Sequence, residues 1–150
     1  MMPDWWTAPE GVHVLPDGAW RVGGFAILHE PSLRYLKARL VFEESGAFLV
    51  EGNQRVPVKV SGPAFEVTAL RLDAAAEEAW VVLDDGSEEP VSSHALSLSE
   101  ETGRFECLVR AGQARAILSR GAHQALLEHV EEGDGGFALR VGERRIPVRT

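Results

Sequence analysis

The sequence holds one cysteine in 150 residues, Cys107, so no internal disulfide can staple it. Set in RFECLV, that thiol is expected to be buried and inert rather than nucleophilic. No apolar run approaches the roughly 18 residues that a membrane helix needs. The opening MMPDWWTAPEG has neither the basic nor the apolar region of a secretory signal, so the expected address is the cytoplasm. HExxH, GxSxG, P-loop and EF-hand spacings are all missing, which leaves no motif for zinc, serine-hydrolase, phosphate-loop or calcium chemistry. Positive charge is scarce as well: 15 basic against 23 acidic residues give a net −8, which argues against a nucleic-acid partner.

What the chain does contain is an ordinary globular mix, 45 % hydrophobic and 25 % charged, in a length that suits one domain with a sizeable core. Its charge is uneven. Residues 1–60 carry 6 basic and 7 acidic groups, 61–101 carry 1 and 10, and 102–150 carry 8 and 6. These blocks also mark the expected organisation: a first repeat behind a Trp-rich start, an acidic bridging segment, and a second repeat.

The repeat is visible in the wording. GAFLVEGNQRVPVKV (46–60) is echoed by GGFALRVGERRIPVRT (135–150), and DGAWRVGGFAIL (17–28) shares its pattern with TGRFECLVRAGQARAIL (102–118). Alternating runs broken by glycine predict hairpins. A turn at Gly23 and Gly24 sets Val22 opposite Phe25 and Trp20 opposite Ile27 on one apolar face. A turn at Ala111 and Gly112 sets Val109 opposite Ala114, Cys107 opposite Ala116 and Phe105 opposite Leu118.

A helix is predicted after each hairpin. In EPSLRYLKARLVFEE, Pro31 suits the first turn and Leu33, Leu36 and Leu40 form a buried stripe ahead of Gly46. In SRGAHQALLEHVEEG, Ser119 is the expected N-cap, with Ala122, Ala125, Leu126, His129 and Val130 inward and Gly133 as the stop. Each helix leads into a closing hairpin. In the first, Phe48 and Val50 face in with Val56 and Val58 across a loop Gly52-Asn53-Gln54 that leaves Glu51 opposite Arg55. In the second, Phe137, Leu139 and Val141 face in with Ile146 and Val148, with one extra residue before Gly142. Pro57 and Pro147 match, and since proline cannot donate to a ladder both arms are expected at a sheet edge. The predicted fold class is therefore α+β: a duplicated strand-strand-helix-strand-strand motif, antiparallel sheets wrapped around helices in a single compact chain. The copies start about 85 residues apart, with AFEVTALRL and AWVVLDD bridging them as strands.

The order of phrases, PDWWTAPEG, LPDGAWRVGGFAI, GAFLVEGNQRVPVKVSGPAF, SSHALSL and FECLVRAGQARAILSR, resembles the bacterial family called domain of unknown function 1285, from about Pro3 to the C-terminus. The resemblance rests most on the Asp-Gly-x-Trp strand, the Pro63-Ala64-Phe65 corner, the His94-Ala95-Leu96 step and the arginine series at 110, 115 and 120. It implies an α+β fold of two repeated motifs with sheets around helices, no established activity, and a suggested role in signal transduction. This chain departs from the family pattern at Ser61-Gly62, where an acidic pair is usual, and at Gln54-Arg55, where a Glu-Lys pair is.

Candidate chemistry is sparse. The five histidines, His13, His29, His94, His123 and His129, form no ligand pattern; His123 and His129 are six apart and point to different helix faces. Neither a metal nor a cofactor is expected. The acidic pairs around DDGSEEP read as a solvated turn. Arg110 and Arg115 share the outer face of their hairpin with Glu106 and Leu108, and Arg120 begins the next helix. The three could hold an anionic ligand, or pair with the acidic segment of this same chain. Of Trp5 and Trp6, one is expected to close the core and the other to touch a partner. The sequence thus favours a non-enzymatic binding or regulatory module with its surface between the two repeats, and no catalytic residue is assigned. Its rivals are a small hydrolase for an anionic substrate and a homodimeric scaffold joined through strand edges. The candidate partners are an anionic small molecule, a protein, or a second copy, with neither nucleic acid nor membrane.

Overall fold

Alternation of apolar and polar residues makes strands of nearly everything between the glycine turns, and only two segments carry helical spacing. The computed structural model describes residues 11–133 and 135–150. Trp5 and Trp6 lie outside them. The chain clusters into two compact units, Met1–Phe65 and Glu66–Thr150, rather than the single one expected.

The first unit contains β1 (Val12–Val14), β2 (Trp20–Val22), β3 (Phe25–Ala26), α1 (Glu30–Ala38), β4 (Leu40–Glu43), β5 (Gly46–Glu51) and β6 (Gln54–Val60). Its six-stranded sheet runs β3-β2-β1-β6-β5-β4, with β1 and β6 parallel and the other neighbours antiparallel. The core is Val12, Val14, Trp20, Val22, Leu36, Leu40, Leu49 and Val58.

The second unit uses β7 (Phe65–Asp73), β8 (Glu78–Leu83), β9 (Glu88–Pro90), β10 (Leu96–Leu98), β11 (Phe105–Val109), β12 (Ala114–Leu118), α2 (Arg120–His129), β13 (Val130–Gly133), β14 (Gly136–Val141) and β15 (Arg144–Arg149). Its sheet runs β13-β14-β15-β10-β11-β12-β7-β8-β9, with β10 and β15 parallel. The acidic segment expected to bridge two halves supplies β7, β8 and β9, which extend this sheet beyond β12. They do so because Val67, Val81 and Leu83 are wholly buried there.

Several registers follow the sequence and several do not. Val22 pairs with Phe25, Val109 with Ala114 and Cys107 with Ala116, as the glycine turns require. Both helices end earlier than their apolar stripes suggest. Leu40-Val41-Phe42 and Val130 leave the helix to pair with β5 and β14, where branched and aromatic side chains fit a ladder better than a last helical turn. His129, expected inward, is exposed at the end of α2. Ser119 does cap α2, its Oγ accepting from the Ala122 N–H at 3.2 Å.

The first closing hairpin has two loop residues, Gly52 and Asn53, with Glu51 opposite Gln54 and Val50 opposite Arg55. One loop residue fewer than expected reverses the faces of β5, so Ala47 and Leu49 are buried and Phe48 and Val50 are not. The second hairpin also turns on two residues, Val141 opposite Arg144, so no extra residue separates the copies; Leu139, Val141, Ile146 and Val148 are buried as expected, while Phe137 is not.

Pro57 and Pro147 are not at sheet edges. β6 lies between β5 and β1, and β15 between β14 and β10. Each proline is tolerated because the parallel ladder starts one residue later, at Val58 with Val12 and at Val148 with Leu96. The missing N–H falls just outside the pairing.

The first unit is closed by a tight corner. The Trp20 indole N–H donates to the Ala64 carbonyl at 3.1 Å in a buried site. A Cβ on Gly62 would stand 2.3 Å from the Leu15 carbonyl oxygen and 2.5 Å from that of Pro16. Both obstacles are backbone and cannot swing aside. Gly62→Ala is therefore expected to destabilise the protein by about 2 kcal/mol, an overpacking cost, seen as a lower urea midpoint with an unchanged slope. An unchanged midpoint would mean that the corner is loose.

Candidate functional site

The arginines that stood out in the sequence sit on the second unit. Arg110 and Ala111 begin the β11–β12 turn in the left-handed region, with φ of 54° and 56°. That conformation costs energy in non-glycine residues and needs support from elsewhere. The acidic turn after β8 supplies it. The Arg110 guanidinium donates to Asp85 and Glu89 and, at 3.3 Å, to Ser87 Oγ, while its backbone N–H donates to Glu89 Oε1 at 2.9 Å. Asp85, 4 % exposed, also accepts from the Ser87 N–H at 2.9 Å and the Ser87 hydroxyl at 2.6 Å. The turn read as solvated is thus folded around a cation.

Arg115 makes a forked pair with Glu106, at 2.7 and 3.0 Å, and approaches Glu101 at 3.8 Å. Glu106 is buried, and its hydrogen bond raises the Arg115 pKa still further above neutrality. Arg120 is exposed at the start of α2. Arg110 and Arg115 therefore spend their charge on different carboxylates of this chain.

No group of three or more His, Cys, Asp or Glu side chains could hold a metal among the described residues. His13 Nε2 lies 3.0 Å from Ser61 Oγ, and the His123 ring is 4.8 Å from that of Phe105. Cys107 is buried, and burial, aided by the negative charge of Glu89, pushes its thiol up to about 12. No helix among the described residues is long and apolar enough to cross a membrane.

A concave surface lies instead on the first unit, where β3 runs into α1. Val22, Phe25, Ala26, Ile27, Leu28, His29 and Ser32 line a groove of about 310 Å³. Phe25 is 79 % exposed and Leu28 84 %. The hairpin register does turn Phe25 to the same side as Val22, but β3 is the last strand of its sheet, and there Val22 is buried while Phe25 is not. The apolar pattern alone therefore does not bury Phe25. The only sign of this in the sequence is how little chain separates the Gly23-Gly24 turn from Pro31. At one end of the groove His29 Nδ1 meets Ser32 Oγ at 2.8 Å, closing the first turn of α1, which has no side-chain cap to its backbone.

Two outcomes check this geometry. Arg110→Ala strips the cation from Asp85, whose side chain is 4 % exposed, and is expected to cost on the order of 3 kcal/mol in denaturant unfolding, well beyond a surface substitution. A loss below about 0.5 kcal/mol would show that Asp85 needs no partner. Cys107 is expected to resist thiol reagents in the folded protein and to react at once in denaturant. Its raised value also means that the folded state keeps a proton the unfolded chain releases above its ordinary 9.0, so stability falls between pH 9.0 and about 12, and less steeply in Cys107→Ala.

No family model matches the chain, and no curated protein does. Two solved structures are similar to it. A DUF1285 family protein from Silicibacter pomeroyi superposes with a TM-score of 0.71 at 21 % identity, covering 93 % of this chain and 79 % of that one. A DUF1285 family protein from Shewanella baltica gives 0.59 at 14 % identity, covering 78 % of this chain and 90 % of that one. The resemblance read from the sequence therefore holds at the level of the fold.

Proposed function

We propose that this chain is a distant DUF1285 family member that works as a non-enzymatic binding or regulatory module, built by duplication of one folding unit. Duplication is supported by strand order. The first sheet reads β3-β2-β1-β6-β5-β4, and six strands of the second read β12-β11-β10-β15-β14-β13, each with its one parallel pair at the centre and a proline just ahead of that ladder.

The observation that carries the binding reading is the groove beside β3. Two large apolar side chains, Phe25 and Leu28, are exposed to solvent and line a hollow together with Val22 and Ile27. Exposed apolar surface around a concavity is what a partner-binding site requires. The engaged guanidinia of Arg110 and Arg115 give an anionic ligand little to hold without displacing their carboxylates, so the apolar surface is the better partner site. A role in signal transduction, which the family resemblance suggests, would use such a surface to recognise a protein.

One pair favours a second reading, a small hydrolase: Ser32 Oγ and His29 Nδ1 at 2.8 Å beside the groove, a hydroxyl next to a base. Both readings can be tested together. The protein is expected to enhance the fluorescence of anilinonaphthalene sulfonate, and Phe25→Ser with Leu28→Ser to lower that signal several-fold while leaving the melting temperature unchanged. A signal that stays, or a melting temperature that falls as for a core substitution, would overturn the binding site. Ester turnover abolished by Ser32→Ala would establish the hydrolase instead.

A further inference from the structure

We infer that the β3 edge seats the same edge of a second copy of this chain, the two strands pairing antiparallel about Ala26; the inference rests on the binding reading above. The argument begins with the backbone. Val22 pairs with Phe25, and the Ile27 N–H donates to the Trp20 carbonyl at 2.9 Å, so residues 25 and 27 turn their peptide groups toward β2. Because these directions alternate, the N–H and C=O of Ala26 face away from the sheet. β3 ends the six-stranded order, and Ala26 is exposed.

The second unit shows what such an edge takes. Its strand in the matching place is β12, and the outer side of β12 is covered by β7. Ala114, Ala116 and Leu118 of β12 are buried under that arrangement, whereas Phe25 stands in solvent. Among the described residues the first unit therefore has no counterpart of the strand that covers β12 in the second.

Charge selects the occupant. The chain carries −8, which opposes self-association over most of its surface, yet Gly18 to His29 contains no acidic residue and only one arginine. Two copies can meet there without opposing carboxylates. A twofold at Ala26 would hydrogen-bond Ala26 to its counterpart and set each Phe25 across from the other copy's Ile27, with Leu28 at the rim. This is a self-complementary contact of the kind that closes a dimer rather than propagating a filament.

Mass in solution tests it. Sedimentation equilibrium at fixed salt is expected to show the 16.4 kDa monomer mass doubling as concentration rises. Phe25→Asp and, separately, Ala26→Pro should move the midpoint at least tenfold higher in concentration with unchanged circular dichroism; Phe25→Asp keeps the test valid if the proline variant fails to fold. Ala26→Cys should give a covalent dimer on mild oxidation that reductant reverses, because hydrogen-bonded antiparallel partners lie about 5.5 Å apart at Cα, within disulfide range. A monomer at every concentration, or a dimer indifferent to both substitutions, overturns the inference. A monomer that still loses dye binding on Phe25→Ser with Leu28→Ser overturns the dimer alone, and one without dye binding overturns the binding reading with it.

Discussion

The first unit is organised by one clasp: the Trp20 indole N–H on the Ala64 carbonyl, made possible by a backbone-to-backbone approach that only glycine at 62 allows. Trp20 is 1 % exposed and Ala64 not at all. A tryptophan buried to that depth must satisfy its one donor, and a carbonyl at a chain corner must find one; each answers the other. The clasp also fixes where the chain leaves β6, because the Ser61 N–H donates to the Val14 carbonyl at 2.8 Å immediately before it. The parallel pairing of β1 with β6, and through it the order of the whole sheet, is held at that point.

The residues of the clasp belong to two phrases 40-odd positions apart in the sequence, DGAW and SGPAF. Both phrases carry the resemblance to the DUF1285 family read from the sequence. Contact explains their co-occurrence in physical terms: the glycine, the tryptophan and the proline corner are parts of one joint. Gly18 joins in, since a Cβ there would stand 2.9 Å from the Pro63 carbonyl oxygen.

Local chemistry was legible in the sequence, and long-range placement was not. Glycine turns announced the pairs Val22–Phe25 and Val109–Ala114 because turn length sets register without outside help. Ser119 announced its helix because capping is satisfied within a few residues. The face of β5 is not legible locally because an aromatic at 48 is more core-like than Ala47, and the difference rests on one loop residue. The helix ends are ambiguous in the sequence because Leu40 and Val130 suit either a helical stripe or a strand, and only pairing with β5 and β14 decides. The arginines suggest acidic partners in the sequence, but that Arg110 meets Asp85 and Glu89 depends on β8 and β9 lying in the same sheet, whereas Arg115 meets Glu106 within its own hairpin. The groove was hidden for the same reason: Phe25 has a core residue's pattern, and among the described residues no strand lies beyond β3 to cover it.

The two prolines have a consequence for how the strands find one another. A parallel ladder between short strands has little to define its register, since three residues of β1 could meet several triplets of β6. Sliding β1 toward the start of β6 would bring Pro57 into the ladder and leave an acceptor without a donor. Pro147 stands guard in the same way over β10. Each proline thus acts as a stop on one side of the correct alignment, excluding wrong pairings during folding by a bond that it cannot make.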